Sequence, residues 1–129
     1  MQAERRRRGS QAEDVAAKFL EQAGWQIVGR NVIVGRDEID ILALDSGPLQ
    51  ELVLVEVRSA SSPAFGAPEE RVDRAKVHRL YRALAALGPS AACWVPAHGA
   101  LPRRVDLVIV DRRGGRLVIR HMKRLEQPV

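Results

Sequence analysis

Cysteine is almost missing from this chain: Cys93 is the only one in 129 residues. A single thiol cannot build a disulfide framework within one chain, nor a cysteine-rich zinc site. The three histidines, His78, His98 and His121, are scattered without ligand spacing and read as ordinary surface or partly buried residues. No apolar run reaches the ~18 residues that cross a bilayer, and no signal-peptide pattern is present. A membrane span is excluded on that basis, and a cytoplasmic protein is expected. Lysine is scarce as well. Only Lys18, Lys76 and Lys123 stand among 21 basic residues, so each lysine draws notice and each arginine can be a compositional replacement.

What is present describes one globular domain. Hydrophobic residues make up 46% of the chain, enough for a core at this length. The net charge of +5 and a pI near 10.3 suit an anionic partner such as nucleic acid. Residues 1–9 (MQAERRRRG) read as a flexible basic arm, because four successive arginines repel one another. Arg5, Arg6, Arg7 and Arg8 are then either a solvated tail or a set of phosphate contacts. Residues 10–121 form the domain, and residues 122–129 a tail expected to fray. No internal repeat and no second domain are visible.

The most informative stretch is Leu52–Arg58 (LVLVEVR), an aliphatic run of the kind covered on both faces of a sheet. It contains one carboxylate, Glu56, and a cation, Arg58, two residues later and hence on the same side of the strand. A buried charge costs several kcal/mol unless something compensates it. Glu38–Leu44 (EIDILAL) repeats the pattern with Asp40, and Val105–Val110 (VDLVIV) with Asp106. Trp25–Val34 is a further strand with Gly29 as an irregularity, and Leu117–Arg120 a last one after a turn at Asp111–Gly115. Ala91–Val95 is a candidate short strand. The Asp45–Pro48 turn makes an antiparallel hairpin of the Asp40 and Glu56 strands, which brings these acids to one face if the register permits.

Two helices complete the pattern. The first runs from an N-cap at Ser10 to Gln22, with Gly24 as its stop and Ala12, Val15, Ala16, Phe19 and Ala23 as its apolar stripe. Glu13 falls at the edge of that stripe, reaching either solvent or a site beneath the helix. The second spans about Glu69–Leu87, with Val72, Leu80, Ala83, Leu84 and Leu87 inward and Arg71, Arg74, His78 and Arg82 outward. Lys76 lies in the middle of the inward stripe, either snorkelling to the surface or aimed at a polar pocket. A magnesium site needs about one or two carboxylates, with water and phosphate completing its octahedron. Asp40 and Glu56 fit that need, with Glu13 as a third member and a nearby lysine to orient the attacking water.

The order of these features resembles the YraN-type uncharacterised protein family. The resemblance rests on Gly9, Glu13 and Ala16, then Gly24-Trp25, Arg30-Asn31, Glu38-Ile39-Asp40, Val55-Glu56-Val57, Phe65-Gly66, Pro68, Lys76, and Arg104 with Asp106. It covers roughly residues 9–110 and places the chain in the restriction-endonuclease-like PD-(D/E)XK superfamily, near the archaeal Holliday-junction resolvases. The resemblance implies an α/β fold with an αβββαβ core, a mixed central sheet flanked by helices. It also implies a Mg²⁺ or Mn²⁺ site at Glu13, Asp40 and Glu56, and DNA and a second copy of the chain as partners.

The sequence departs from the family at Arg58, where the family has lysine, at Ala60, where it commonly has arginine, and at Asp37, where it usually has glycine. The Asp45–Glu51 connection is also a few residues longer than the family's. Arginine keeps its proton at any working pH and cannot act as a general base. It can still orient water or hold the attacked phosphate, and Lys76 is a candidate stand-in for the family lysine. Three readings therefore stay open. The chain is a metal-dependent nuclease for branched or structured DNA, a nucleic-acid-binding module impaired in cleavage, or a domain whose buried acids merely partner arginines such as Arg58 and Arg104.

Overall fold

The aliphatic runs pair into a single five-stranded sheet in the order β1-β2-β3-β4-β5. A computed structural model describes residues 2–60, 74–87 and 101–126, with side chains for residues 11–59, 74–87 and 101–126. The elements are α1 (Gln2–Gln22), β1 (Gln26–Val34), β2 (Asp37–Asp45), β3 (Glu51–Ala60), α2 (Arg74–Ala86), β4 (Arg103–Arg113) and β5 (Arg116–Met122). β1, β2 and β3 form an antiparallel meander, and β4 and β5 an antiparallel hairpin. β3 and β4 run parallel, a pairing that needs a crossover, and α2 lies within it. This is the expected αβββαβ order, extended by β5. No helix among the described residues is long and apolar enough to cross a membrane.

Alternation along the central strands sends one set of side chains to each helix. Ile41, Ala43, Val53, Val55, Val108 and Val110 pack under α1 with Ala12, Ala16, Ala17, Leu20 and Trp25. Leu42, Leu44, Leu52, Leu54 and Val105 pack under α2 with Leu80, Ala83, Leu84 and Leu87. The inward face of α1 is thus rotated from the expected stripe. Ala17 and Leu20 are buried while Ala23 is exposed, which moves Glu13 from the edge onto the buried side. On α2 the expected inward residues are buried, and Arg74, His78 and Arg82 face solvent. Val72, Arg71 and the candidate strand Ala91–Val95 lie outside the described residues.

Other boundaries also differ from expectation. α1 begins at Gln2 instead of at Ser10, so the backbone of the supposed flexible arm is helical. Gln, Ala, Glu and Arg are all good helix formers, and Ser10 and Gly9 are no barrier to a helix already running. The side chains of Arg5, Arg6, Arg7 and Arg8 lie outside the described residues. The stop at Gly24 is a Schellman turn: with φ at 91°, Gly24 N–H donates to Glu21 O and Trp25 N–H to Leu20 O, each at 3.0 Å. The β4–β5 turn contracts to Gly114–Gly115, both with positive φ, because a Gly-Gly pair suits a two-residue hairpin loop. Gly29 sits at the expected irregularity, a register shift between Ile27 and Gly29.

The C-terminal segment does not fray over its described part. Leu125 N–H donates to Val105 O at 2.8 Å, and Tyr81 Oη to Leu125 O. A buried ionic knot holds the same region. The Arg104 guanidinium, 4% exposed, donates at 2.9 Å to each of Asp106, Glu51 and Asp45. Asp106, fully buried, also receives Arg124 N–H at 3.0 Å and lies 2.8 Å from His121 Nε2. Arg124 adds a second cation to Glu51 at 3.0 Å, and the Arg104 guanidinium stacks 5.2 Å from the Trp25 ring centre. The knot ties the β2–β3 hairpin, the start of β4 and the chain end together. It is what the reading of buried acids as partners of core arginines describes, at Arg104 and Asp106.

Breaking one member of such a knot strands the others without solvent. Arg104→Met is expected to lower unfolding free energy by about 3–5 kcal/mol, read from urea denaturation at neutral pH. A loss within about 1 kcal/mol would show that the knot behaves like a surface ion pair.

Candidate active site

The second group of acids lies where β2 parts from β3. The ladder between these strands runs from Asp45↔Glu51 to Ile41↔Val55. One step further the register sets Asp40 opposite Glu56, and the Val57 amide donates to Asp40 Oδ2 at 2.9 Å. Side-chain alternation also slips here. Ile39 packs in the core under α2, as Leu42 does three residues on, while Ile41 packs under α1. The slip opens a fork between two strands that are otherwise tightly laddered, and both carboxylates sit in it.

Two cations reach the fork. Arg58, from the same strand as Glu56, places a guanidinium nitrogen 3.5 Å from Glu56 Oε1. Lys76, from α2, places Nζ 3.8 Å from the same oxygen. Lys76 is half-buried, and its position in the inward stripe delivers it to this polar pocket. The Arg58 Nε is buried without a hydrogen-bond partner among the described residues. Neither ion pair has the short geometry of the Arg104 knot.

Glu13 approaches from α1, with a side chain 16% exposed. It is steadied by residues to which the sequence reading gave no role. Arg30 lies 3.8 Å from Glu13 and 2.7 Å from Asp14. The Asn31 amide, turned with its nitrogen toward the acids, donates to Glu38 Oε1 at 3.0 Å and Glu13 Oε2 at 3.2 Å. Asn31 has φ at 52°, a left-handed conformation that asparagine tolerates better than most residues. The available signal is the Arg30-Asn31 pair itself, with the asparagine two residues beyond the Gly29 register shift.

The electrostatics mark this group off from the knot. Glu56 is pushed up to about 7, first by burial and then by the charge of Asp40, with Lys76 and Arg58 opposing. Asp40 is raised by burial despite the Val57 hydrogen bond and the same two cations. Glu13 is raised by burial and then by Asp40. In the knot, burial presses upward on Asp106 and Asp45 too, but hydrogen bonds from His121, Arg104 and backbone amides outweigh it and hold both below their usual values. The fork acids are under-compensated. An ionised pair in this position is short of positive charge.

The structure thus gathers Glu13, Asp40, Glu56, Arg58 and Lys76 in one region. Among the described residues, no three His, Cys, Asp or Glu side chains are placed to hold one metal ion together, so the expected trio of Glu13, Asp40 and Glu56 is not assembled as a single ligand set. The donor set is instead the paired-carboxylate type, hard oxygen ligands with neither His nor Cys, which fits Mg²⁺ or Mn²⁺ and not a soft metal.

Comparison with known proteins places this arrangement in context. The sequence profile described as Uncharacterised protein family UPF0102 matches residues 12–110, a span containing every member of the fork. A UPF0102 protein of Moorella thermoacetica is 44% identical over 108 residues, covering 82% of each chain. UPF0102 proteins of Arthrobacter sp. strain FB24 and Beutenbergia cavernae are 38% and 39% identical over 118 residues, covering 89% of this chain and 92% of theirs.

The raised Glu56 gives a pH signature. Its carboxyl moves from an ordinary 4.5 to about 7, so the folded state holds a proton that the unfolded chain releases. Stability therefore falls as pH rises between those values, by up to about 3 kcal/mol. Without divalent ions, Glu56→Gln is expected to gain on the wild type by about 2–3 kcal/mol between about pH 5 and about pH 8, measured by urea denaturation. Parallel pH profiles for the two proteins would contradict the assignment.

Proposed function

Because the chain belongs to the UPF0102 family, within which the fork lies wholly inside the shared region, we propose that this site makes it a nucleic-acid-binding protein and a divalent-metal-dependent endodeoxyribonuclease for branched or structured DNA. The observation that carries the reading is the pairing of buried Glu56 with half-buried Asp40, both raised and short of positive charge, with Lys76 brought to them from α2. Asp40 and Glu56 would hold the Mg²⁺ or Mn²⁺, with Glu13 beside them. When bound, the ion supplies an activated water and stabilises charge on the attacked phosphate.

The chain's own residues have separate tasks. Asp40 is oriented by the Val57 amide, which donates to its Oδ2, and Glu13 lies against the same carboxylate. Arg58 cannot accept a proton, and its role is to hold a phosphate oxygen as a charged donor. Lys76, 3.8 Å from Glu56, is the candidate to orient the attacking water. The net charge of +5 favours the approach of a polyanion. The reading takes the protein as cytoplasmic and, by analogy with resolvases, as a homodimer.

A second reading rests on Arg58. Its guanidinium lies 3.5 Å from Glu56, where the family's lysine is expected, and an arginine there favours a module that binds without cutting. Mn²⁺ titration with labelled duplex, flap and four-way-junction DNA separates the two, scored for mobility shift and for cleavage. The nuclease reading expects cleavage to fall at least about 100-fold in Glu56→Ala and about 10–100-fold in Lys76→Ala, with binding retained. Wild-type cleavage in Lys76→Ala would remove Lys76 from the mechanism. Binding without cleavage, unaltered by Glu56→Ala, would establish the module.

A further inference from the structure

The β4–β5 hairpin ends in a basic tip, Arg112-Arg113-Gly114-Gly115-Arg116, that the carboxylate site does not use. Arg112 and Arg116 are exposed, and the Arg113 side chain is 71% exposed. The two glycines turn the chain with φ at 56° and 78°. A side chain added at either would meet nothing within 4 Å among the described residues. The tip therefore projects from the fold as a thin ribbon, with three guanidinium groups around a turn that has no side chains of its own. Arg113 is held in place by its Nε, which donates to Asp111 Oδ2 at 2.6 Å. Asp111 is itself buried, so this cation is anchored at its root while its end faces solvent.

Register fixes where the ribbon stands relative to the fork. In the parallel β3–β4 ladder, Glu56 pairs with Leu107, Arg58 with Ile109 and Ala60 with Asp111. β4 then continues past the last paired residue of β3, in the direction that leads from Glu56 to Arg58. Arg113 lies four residues beyond the level of Arg58 and one strand aside, a distance of about 14 Å. A duplex advances that far in about four nucleotides of one strand. A phosphate seated at Arg58 and Lys76 would thus leave its own strand within reach of the tip.

We propose that the β4–β5 tip is a second nucleic-acid contact, in which Arg112, Arg113 and Arg116 engage backbone phosphates a few nucleotides from the carboxylate site. The inference rests on the nucleic-acid reading of that site. The two turn residues carry no side chain, and exposed Leu117 and Val118 follow Arg116 on β5. The choice of nucleic acid over a lipid surface rests on the three arginines standing in line with the carboxylate site. A two-stranded ribbon is also of a size that a DNA groove admits. Contacts of this kind position the substrate and carry no sequence preference.

The test uses the full chain carrying Arg112→Gln and Arg116→Gln together, which leaves the Arg113–Asp111 pair intact. Affinity for duplex and four-way-junction DNA is measured by fluorescence anisotropy across a salt series without divalent ions. Each lost phosphate contact removes about 0.9 from the slope of log affinity against log salt, so the slope is expected to flatten by about 2. At physiological salt the affinity should fall about 10–30-fold, with an unchanged thermal midpoint. Arg112→Lys with Arg116→Lys should keep the wild-type slope. A wild-type slope in the Gln variant, while the wild type binds DNA, overturns the tip as a contact and leaves the carboxylate reading standing. A wild type that binds neither DNA overturns both. Anionic vesicles bound in preference to DNA, through the same two arginines, would assign the tip to a membrane surface and overturn the proposal.

Discussion

The hydrogen bond from the Val57 amide to the Asp40 carboxylate is the constraint on which the site depends. Up to the Ile41↔Val55 pair, β2 and β3 are joined by an ordinary ladder. Beyond it a side chain takes a backbone donor, and the strands part. Two consequences follow. The ladder ends inside a sheet that is otherwise packed on both faces. The hydrogen bond also fixes Asp40 opposite Glu56, in surroundings where neither carboxylate is well solvated. A tight ladder would have kept both acids apart from any ligand, and the side-chain hydrogen bond is what holds the fork in a single geometry.

The same domain shows what a purely structural cluster of acids looks like. Around Arg104, each carboxylate is met by short, directed donors, and Asp106 and Asp45 are held below their usual values despite burial. At the fork the cations stand 3.5 and 3.8 Å from a single oxygen, and Glu56, Asp40 and Glu13 are all raised. One set of acids has its compensation built in, and the other is short of it. Structural ion pairs also shift titrations, but within this one domain the two sets of acids shift in opposite directions, and the raised set is the one without short, directed donors. The contrast is internal to one protein, so composition and overall charge do not explain it.

The central acids were legible in the sequence because Asp40 and Glu56 interrupt aliphatic strands, where a charge has no stability reason to be. The αβββαβ order was legible for the same reason that the strands were, from apolar runs bounded by turn residues. What could not be read was rotation and register. Glu13 looked like a boundary residue because Ala23 was counted into the stripe, whereas the buried side is built on Ala17 and Leu20. Arg30 and Asn31 stand out in the sequence only as a pair, because their effect on Glu13 depends on the register shift at Gly29 and a left-handed residue at Asn31. Arg104 and Asp106 were seen as a pair, but Glu51, Asp45, His121 and Arg124 join them only through contacts distant in sequence. Local propensity continues α1 back to Gln2 through the basic arm, and repulsion among the arginines does not interrupt its backbone.

The central claim is that Asp40 and Glu56 form a divalent-cation site completed by the positive charge that Arg58 and Lys76 do not supply. Calorimetric titration of the wild-type chain with Mn²⁺, run near neutral pH in two buffers of different ionisation enthalpy, tests it most directly. Because Glu56 is pushed up to about 7, saturable binding should release part of a proton per ion, and both binding and release should vanish in Glu56→Gln. Saturable binding that survives Glu56→Gln unchanged, or no saturable binding by the wild type, would contradict the account.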